Sequence, residues 1–202
     1  MSVFSDDADR ERYCSLARHY AGRHGVDVWA YCLMPNHVHF VAVPKAETSL
    51  ARWLRDAHTA YAHHVNRRQQ ENGHLWQGRF FSCVLDEAHL WAAVRYVERN
   101  PVKARLVRKA EAYAWSSAPA HCGRRSDPLL APDFPPAGVV KDWSAFLRTE
   151  EQQGCTEAVR RSTKTGRPCG SPAFVERLET MLHRVLQRQK PGPKVAERDR
   201  DK

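Results

Sequence analysis

No stretch of this chain approaches the roughly 18 consecutive apolar residues that a membrane helix requires. The opening Met1-Ser2-Val3-Phe4-Ser5-Asp6-Asp7 has neither the basic lead nor the apolar run of a secretory signal. The cysteines (Cys14, Cys32, Cys83, Cys122, Cys155 and Cys169) contain no C-x-x-C pair and no framework spacing. That argues against a redox motif or a disulfide scaffold and fits free thiols in a reducing compartment. Internal repeats and long low-complexity segments are also missing. Together these absences lead to the expectation of a soluble cytoplasmic protein. Acidic residues are the minority charge, 23 against 32 Lys and Arg, a formal net charge of +9. Such a balance favours an anionic partner, nucleic acid first among them. A length of 202 residues suits one domain with an appendage.

What is present begins with local signals. Ser5-Asp6-Asp7 is a helix start, Tyr13, Leu16, Ala17 and Tyr20 recur at helical spacing, and Gly25 ends the segment. Val26 to Leu33 reads as a strand. Met34-Pro35-Asn36 leaves room only for a turn, so the next strand, His37 to Val43 closed by Pro44, completes a hairpin. Residues 48–68 read as a helix with Trp53, Leu54, Ala57 and Tyr61 inward and Arg52, Arg55, Arg67 and Arg68 outward. His74 to Leu85 reads as extended, with aromatic and basic residues interleaved. Trp76, Gln77, Arg79, Phe80 and Phe81 could offer stacking faces and phosphate contacts, or Phe80, Phe81 and Val84 could simply be core. Asp86 caps a helix expected to stop at Asn100, because Pro101 disfavours helical geometry in the residue before it. A proline-rich stretch, a further helix over 172–189 and a charged, disordered tail beyond Lys190 follow. Helices against one antiparallel sheet make an α+β sandwich.

In a strand, alternate side chains share a face, so His37 and His39 project side by side. A His-x-His pair is as compatible with surface or core packing as with a metal. Tyr96 and Asn100 lie one turn apart on the helix before Pro101. An Asn carbonyl suits Mg²⁺ or Mn²⁺ beside two imidazoles, and a tyrosine hydroxyl one turn away suits a nucleophile. Tyr61 and Tyr31 compete for that role, and Cys32 with the two histidines suggests a zinc site that lacks a fourth ligand.

Several blocks then resemble one family in order along the chain. They are Tyr31-Cys32-Leu33-Met34-Pro35-Asn36-His37-Val38-His39, Gly73 to Phe80, Tyr96-Val97-Glu98-Arg99-Asn100-Pro101-Val102-Lys103-Ala104, Tyr113 to Ser117, and Thr165-Gly166-Arg167-Pro168. Together they resemble the HUH endonuclease superfamily of Y1 transposases, in its REP-associated tyrosine transposase (RAYT) branch. The resemblance implies a ferredoxin-like antiparallel sheet with helices on one face, in the cytoplasm of a bacterium. It implies Mg²⁺ or Mn²⁺ held by His37, His39 and Asn100, with Tyr96 cleaving single-stranded DNA at hairpin-forming repeats through a 5′-phosphotyrosine. Arg55, Arg67, Arg68, Trp76, Gln77, Arg79, Lys103 and Arg167 are the expected DNA contacts. A hairpin-binding protein that no longer cuts is the alternative, and neither monomer nor homodimer is favoured. The catalytic domain is expected over 1–125 and a helical extension over 126–189. Relatives carry one more strand before the first helix, central in such a sheet, so the sheet is expected to lack its usual first strand, to take pairing from two neighbours and to expose apolar surface.

Overall fold

The computed structural model describes residues 2–135, 139–149 and 153–187. In chain order the elements are α1 (Asp7–His24), β1 (Val26–Met34), β2 (His37–Pro44), α2 (Ser49–Gln69), α3 (Glu87–Lys103), a 3-10 turn (Ala110–Ala112), α4 (Ala118–His121), α5 (Trp143–Arg148), α6 (Gln153–Thr165) and α7 (Pro172–Leu182). This is an α+β fold with a helical extension. Among the described residues no helix is long and apolar enough to cross a membrane. The expected tail beyond Lys190 lies outside the described residues. The helix expected to reach 189 stops at Leu182, because His183 takes the left-handed conformation and its N–H closes on Glu179 O.

Local chemistry sets the early elements. Asp6 caps α1 by accepting the Asp9 N–H at 2.8 Å. Gly25, at φ 64°, takes the left-handed conformation that closes the helix and turns the chain into β1. β1 and β2 pair antiparallel from Met34↔His37 to Val26↔Pro44, with one irregularity between Val28 and Ala30. The extra residue there, Trp29, makes a β-bulge and stacks on Phe134 with ring centroids 4.7 Å apart.

Helices cover both faces of the hairpin, not one. Val26, Val28, Tyr31 and Leu33 pack with α1 and α2 around Trp53, Tyr13 and Tyr61. Ala30, Cys32, Met34 and Val41 pack instead with Ala93, Val94 and Val97 of α3, backed by Trp143 and Leu147 of α5 and Val159 of α6. The reason is compositional. Apolar side chains occupy both faces of β1, and a two-stranded ribbon must bury both. Residues beyond 125 contribute to both clusters, Leu129 to the first and Trp143 to the second.

The outer edge of β1 is not left open. Leu33 N–H donates to Trp115 O at 2.8 Å, Ser117 N–H to Tyr31 O at 3.0 Å and Ala131 N–H to Val28 O at 2.8 Å. The segment 115–117, bridged at Cys32 and Ser116, and Ala131 thus satisfy backbone groups on that edge which would otherwise be unpaired.

α3 runs through Pro101 to Lys103 instead of ending at Asn100. Proline lacks the N–H that would bond Val97 O. The Asn100 side-chain amide supplies a donor, 3.4 Å from Val97 O and 2.8 Å from Tyr96 O. The segment from His74 to Leu85 forms no regular strand, its one ladder contact being a bridge between Leu85 and Cys169.

Glu98 is fully buried on α3. Its Oε1 accepts from Ser117 Oγ at 2.5 Å and lies 2.6 Å from His121 Nδ1, while Oε2 accepts the Trp143 indole N–H at 2.7 Å. One carboxylate therefore ties α3 to the segment closing the β1 edge, to α4 and to α5. Glu98→Ala strands three buried polar groups, so it is expected to destabilise the fold by about 3–5 kcal/mol. Glu98→Gln, which keeps an acceptor, should lose less; urea unfolding midpoints measure both.

Candidate metal and nucleophile site

The alternation of β2 sends Val38, Phe40 and Ala42 toward α1 and α2 and leaves His37 and His39 on the side of α3. The two imidazoles meet edge to face, ring centroids 4.7 Å apart. His37 Nδ1 lies 2.7 Å from Asn36 Oδ1. An amide oxygen only accepts, so Nδ1 carries the proton and Nε2 keeps its lone pair. Burial lowers the His37 imidazole below its ordinary value. It lowers His39 further, to about 4, with the neighbouring His37 charge adding to the effect. Both rings are therefore neutral at physiological pH, the form that binds metal.

Their Nε2 atoms stand 3.0 Å apart. Two nitrogens about 2.1 Å from an octahedral ion at right angles are separated by about 3.0 Å, against about 3.4 Å at tetrahedral angles. The pair thus fits one edge of an octahedral ion. The same spacing also accommodates a single N–H···N hydrogen bond. Among the described residues no group of three or more His, Cys, Asp or Glu is arranged to hold a metal. A third protein ligand would have to be of another type. Asn100 is of that type: its amide nitrogen is engaged with helix carbonyls, which leaves Oδ1 as the atom able to coordinate. Cys32 faces His39 across the ladder. Burial first, and the Glu98 charge second, push its thiol far up, so it stays protonated and the zinc reading gains nothing from it.

α3 brings the tyrosine to the histidines. The half-buried Tyr96 ring lies 5.7 Å from the His39 ring at an interplanar angle of 74°, and Lys103, two turns on, sets its ammonium 5.0 Å from the Tyr96 ring centroid. The competing tyrosines are engaged elsewhere. Tyr61 is buried with its hydroxyl donating to Val3 O at 2.9 Å, and Tyr31 donates to Asp127 at 2.7 Å.

The expected DNA contacts divide. Arg67, Gln77 and Arg79 are exposed. Arg55 is exposed but paired with Asp56 at 2.7 Å. Arg68 is committed to buried Asp9 at 2.6 Å and also pairs with Asp6 at 3.4 Å. Trp76 stacks on His58 at 4.1 Å and donates its N–H to His58 O at 3.1 Å. Arg167 donates to Leu186 O at 2.8 Å, fastening the chain four residues past the end of α7. Phe80 packs on the core while Phe81 is exposed. Glu98 escaped the sequence reading, although its place one turn from both Val94 and Pro101, inside the apolar stripe of α3, was a signal for it.

Residues 1–100 match the model of the family described as transposase, IS200-like. The match supports the Y1 transposase family and takes in His37, His39, Tyr96 and Asn100. No curated protein and no solved structure matches the chain.

Histidine NMR tests the electrostatics. His39 should titrate near pH 4, well below the ordinary value of about 6.5. A depressed histidine favours the unfolded chain once that chain protonates, so its contribution to stability falls as pH drops from about 6.5 toward 4. In His37→Ala the His39 value should rise, because one charge that opposes its protonation is gone.

Proposed function

We propose, from the match of residues 1–100 to the IS200-like transposases, that this chain is a metal-dependent transesterase. It cleaves and rejoins single-stranded DNA through Tyr96. The observation that carries the reading is the convergence of His37 and His39, Nε2 to Nε2 at 3.0 Å, beside the Tyr96 ring 5.7 Å from His39. Two neutral imidazoles with Asn100 Oδ1 would hold Mg²⁺ or Mn²⁺. When bound, such an ion supplies Lewis-acid polarisation of a non-bridging phosphoryl oxygen.

The protein's own groups do the rest. The Tyr96 oxygen attacks phosphorus, the P–O3′ bond breaks, and the phenolic proton is lost as the leaving 3′-oxygen gains one. The product is a 5′-phosphotyrosine and a free 3′-hydroxyl, and attack by a 3′-hydroxyl reverses the step without an external energy source. The Lys103 ammonium over the ring favours negative charge developing on the phenol. Hairpin-forming repeats of the REP type are the proposed target, on the resemblance of the blocks around His37, Tyr96 and Arg167. The +9 charge suits any such strand.

The test mixes the purified chain with hairpin single-stranded DNA and Mn²⁺, then seeks a denaturant-resistant protein–DNA adduct. Tyr96→Phe should form none. His37→Ala and His39→Ala should slow its formation by about 10²–10³-fold, the scale of losing one group that stabilises transition-state charge. An adduct that persists in Tyr96→Phe overturns the nucleophile. Tight hairpin binding without any adduct in the unaltered chain favours the non-cleaving alternative.

A further inference from the structure

α6 has two unlike sides. Thr156, Val159 and Ser162 are buried, Val159 within the cluster that includes α3. Opposite them Arg160, Arg161 and Lys164, with Glu157 and Thr165, line an open groove of about 350 Å³. None of the three cations has an ion-pair partner among the described residues. Three like charges within five residues repel one another, and a single Glu157 offsets only part of that.

The segment before α3 runs beside the end of this helix. Cys83 Sγ lies 3.7 Å from Thr163 Oγ1, and Cys169 N–H donates to Val84 O at 2.8 Å. Ser82 O would stand 3.6 Å from a Cβ on Gly166. The backbone around residue 82 is thus pinned, yet Phe81 is 72 % exposed and Arg79 is exposed beside it. The neighbouring Phe80 already meets the demands of the core. A large ring held in solvent, on a segment that touches α6 through Cys83 and Thr163, combines with the unpaired cations of that helix to give the composition of a surface for unpaired bases and their phosphates.

We infer that Phe81 and Arg79, together with Arg160, Arg161 and Lys164, form a second single-strand platform apart from the histidine–tyrosine site. A base stacks on Phe81 and the backbone phosphates follow α6. The inference rests on the single-stranded DNA reading of that site and extends it to the strand flanking the reacting phosphate. Bases in a duplex are already stacked, so the platform discriminates against duplex DNA.

The experiment measures fluorescence anisotropy of a labelled oligothymidylate with the full chain across a salt series. Phe81→Ala and Phe81→Leu should each weaken binding roughly 5- to 100-fold with the salt slope unchanged, and Phe81→Trp should restore it. The triple variant R160A/R161A/K164A should lower the slope of log affinity against log salt by about 2, from about 0.7 per cation. All these side chains are exposed, so urea midpoints should match the parent. Parent-like affinity and slope in both sets of variants, or equal competition by duplex of the same charge, overturns the platform. If binding is unchanged while the Tyr96 adduct still forms, the platform fails and the site reading stands. Binding lost in the variants of a parent that forms no adduct supports the platform and sinks the tyrosine reading.

Discussion

The arrangement depends on a buried carboxylate. Glu98 receives three polar groups from separate parts of the chain, Ser117, His121 and Trp143. An ionised carboxylate with no water nearby is costly unless its lone pairs are occupied, and here each oxygen has a close partner. The same Ser117 whose hydroxyl reaches Glu98 also accepts the Tyr31 N–H at 3.0 Å through that oxygen. The network therefore links the helix that carries Tyr96 and Asn100 to the strand whose partner carries His37 and His39. Relative placement of Tyr96 and the imidazoles is fixed through buried hydrogen bonds, not by the loop between α2 and α3.

That linkage also explains how a two-stranded sheet suffices. An isolated hairpin is marginal in water. This one is clamped between α1 and α2 on one side and α3 on the other, and its outer edge is closed by residues 115–117. The backbone amides find partners without a full additional strand. Chain from beyond residue 125 completes both hydrophobic clusters, so the helical extension contributes to the core that positions the site.

Much of this was legible in the sequence because it is local. The Asp6 and Asp86 caps, Gly25 at its left-handed position, the tight Pro35-Asn36 turn and the His-x-His face all follow from neighbours a few residues apart. The sequence also marked Tyr96 and Asn100 as a pair, and α3 brings the Tyr96 ring against His39. What was illegible depends on distant partners. Closure of the β1 edge needs Trp115 and Ser117, more than eighty residues from Tyr31 and Leu33. The rule that proline ends a helix failed because Asn100 supplies a donor where Pro101 cannot. Phe80 and Phe81 are adjacent and chemically identical, and only tertiary packing decides that one is core and the other solvent-exposed.

Trp29 works on β1 as a parity change. Up to the bulge, even-numbered residues, Val26 and Val28, face α1 and α2; past it, odd-numbered Tyr31 and Leu33 do. The strand thereby shows two successive side chains, Trp29 and Ala30, to the α3 side without lengthening β2. Removing one residue of β1 between Trp29 and the turn would take the bulge away and return the strand to plain alternation, so α3 would lose one of the two successive side chains it packs on while the residues beyond kept their faces. His37 and His39 stand on β2, whose alternation runs unbroken, so it is a one-residue slip of β2, not a change of count in β1, that would turn them toward Trp53.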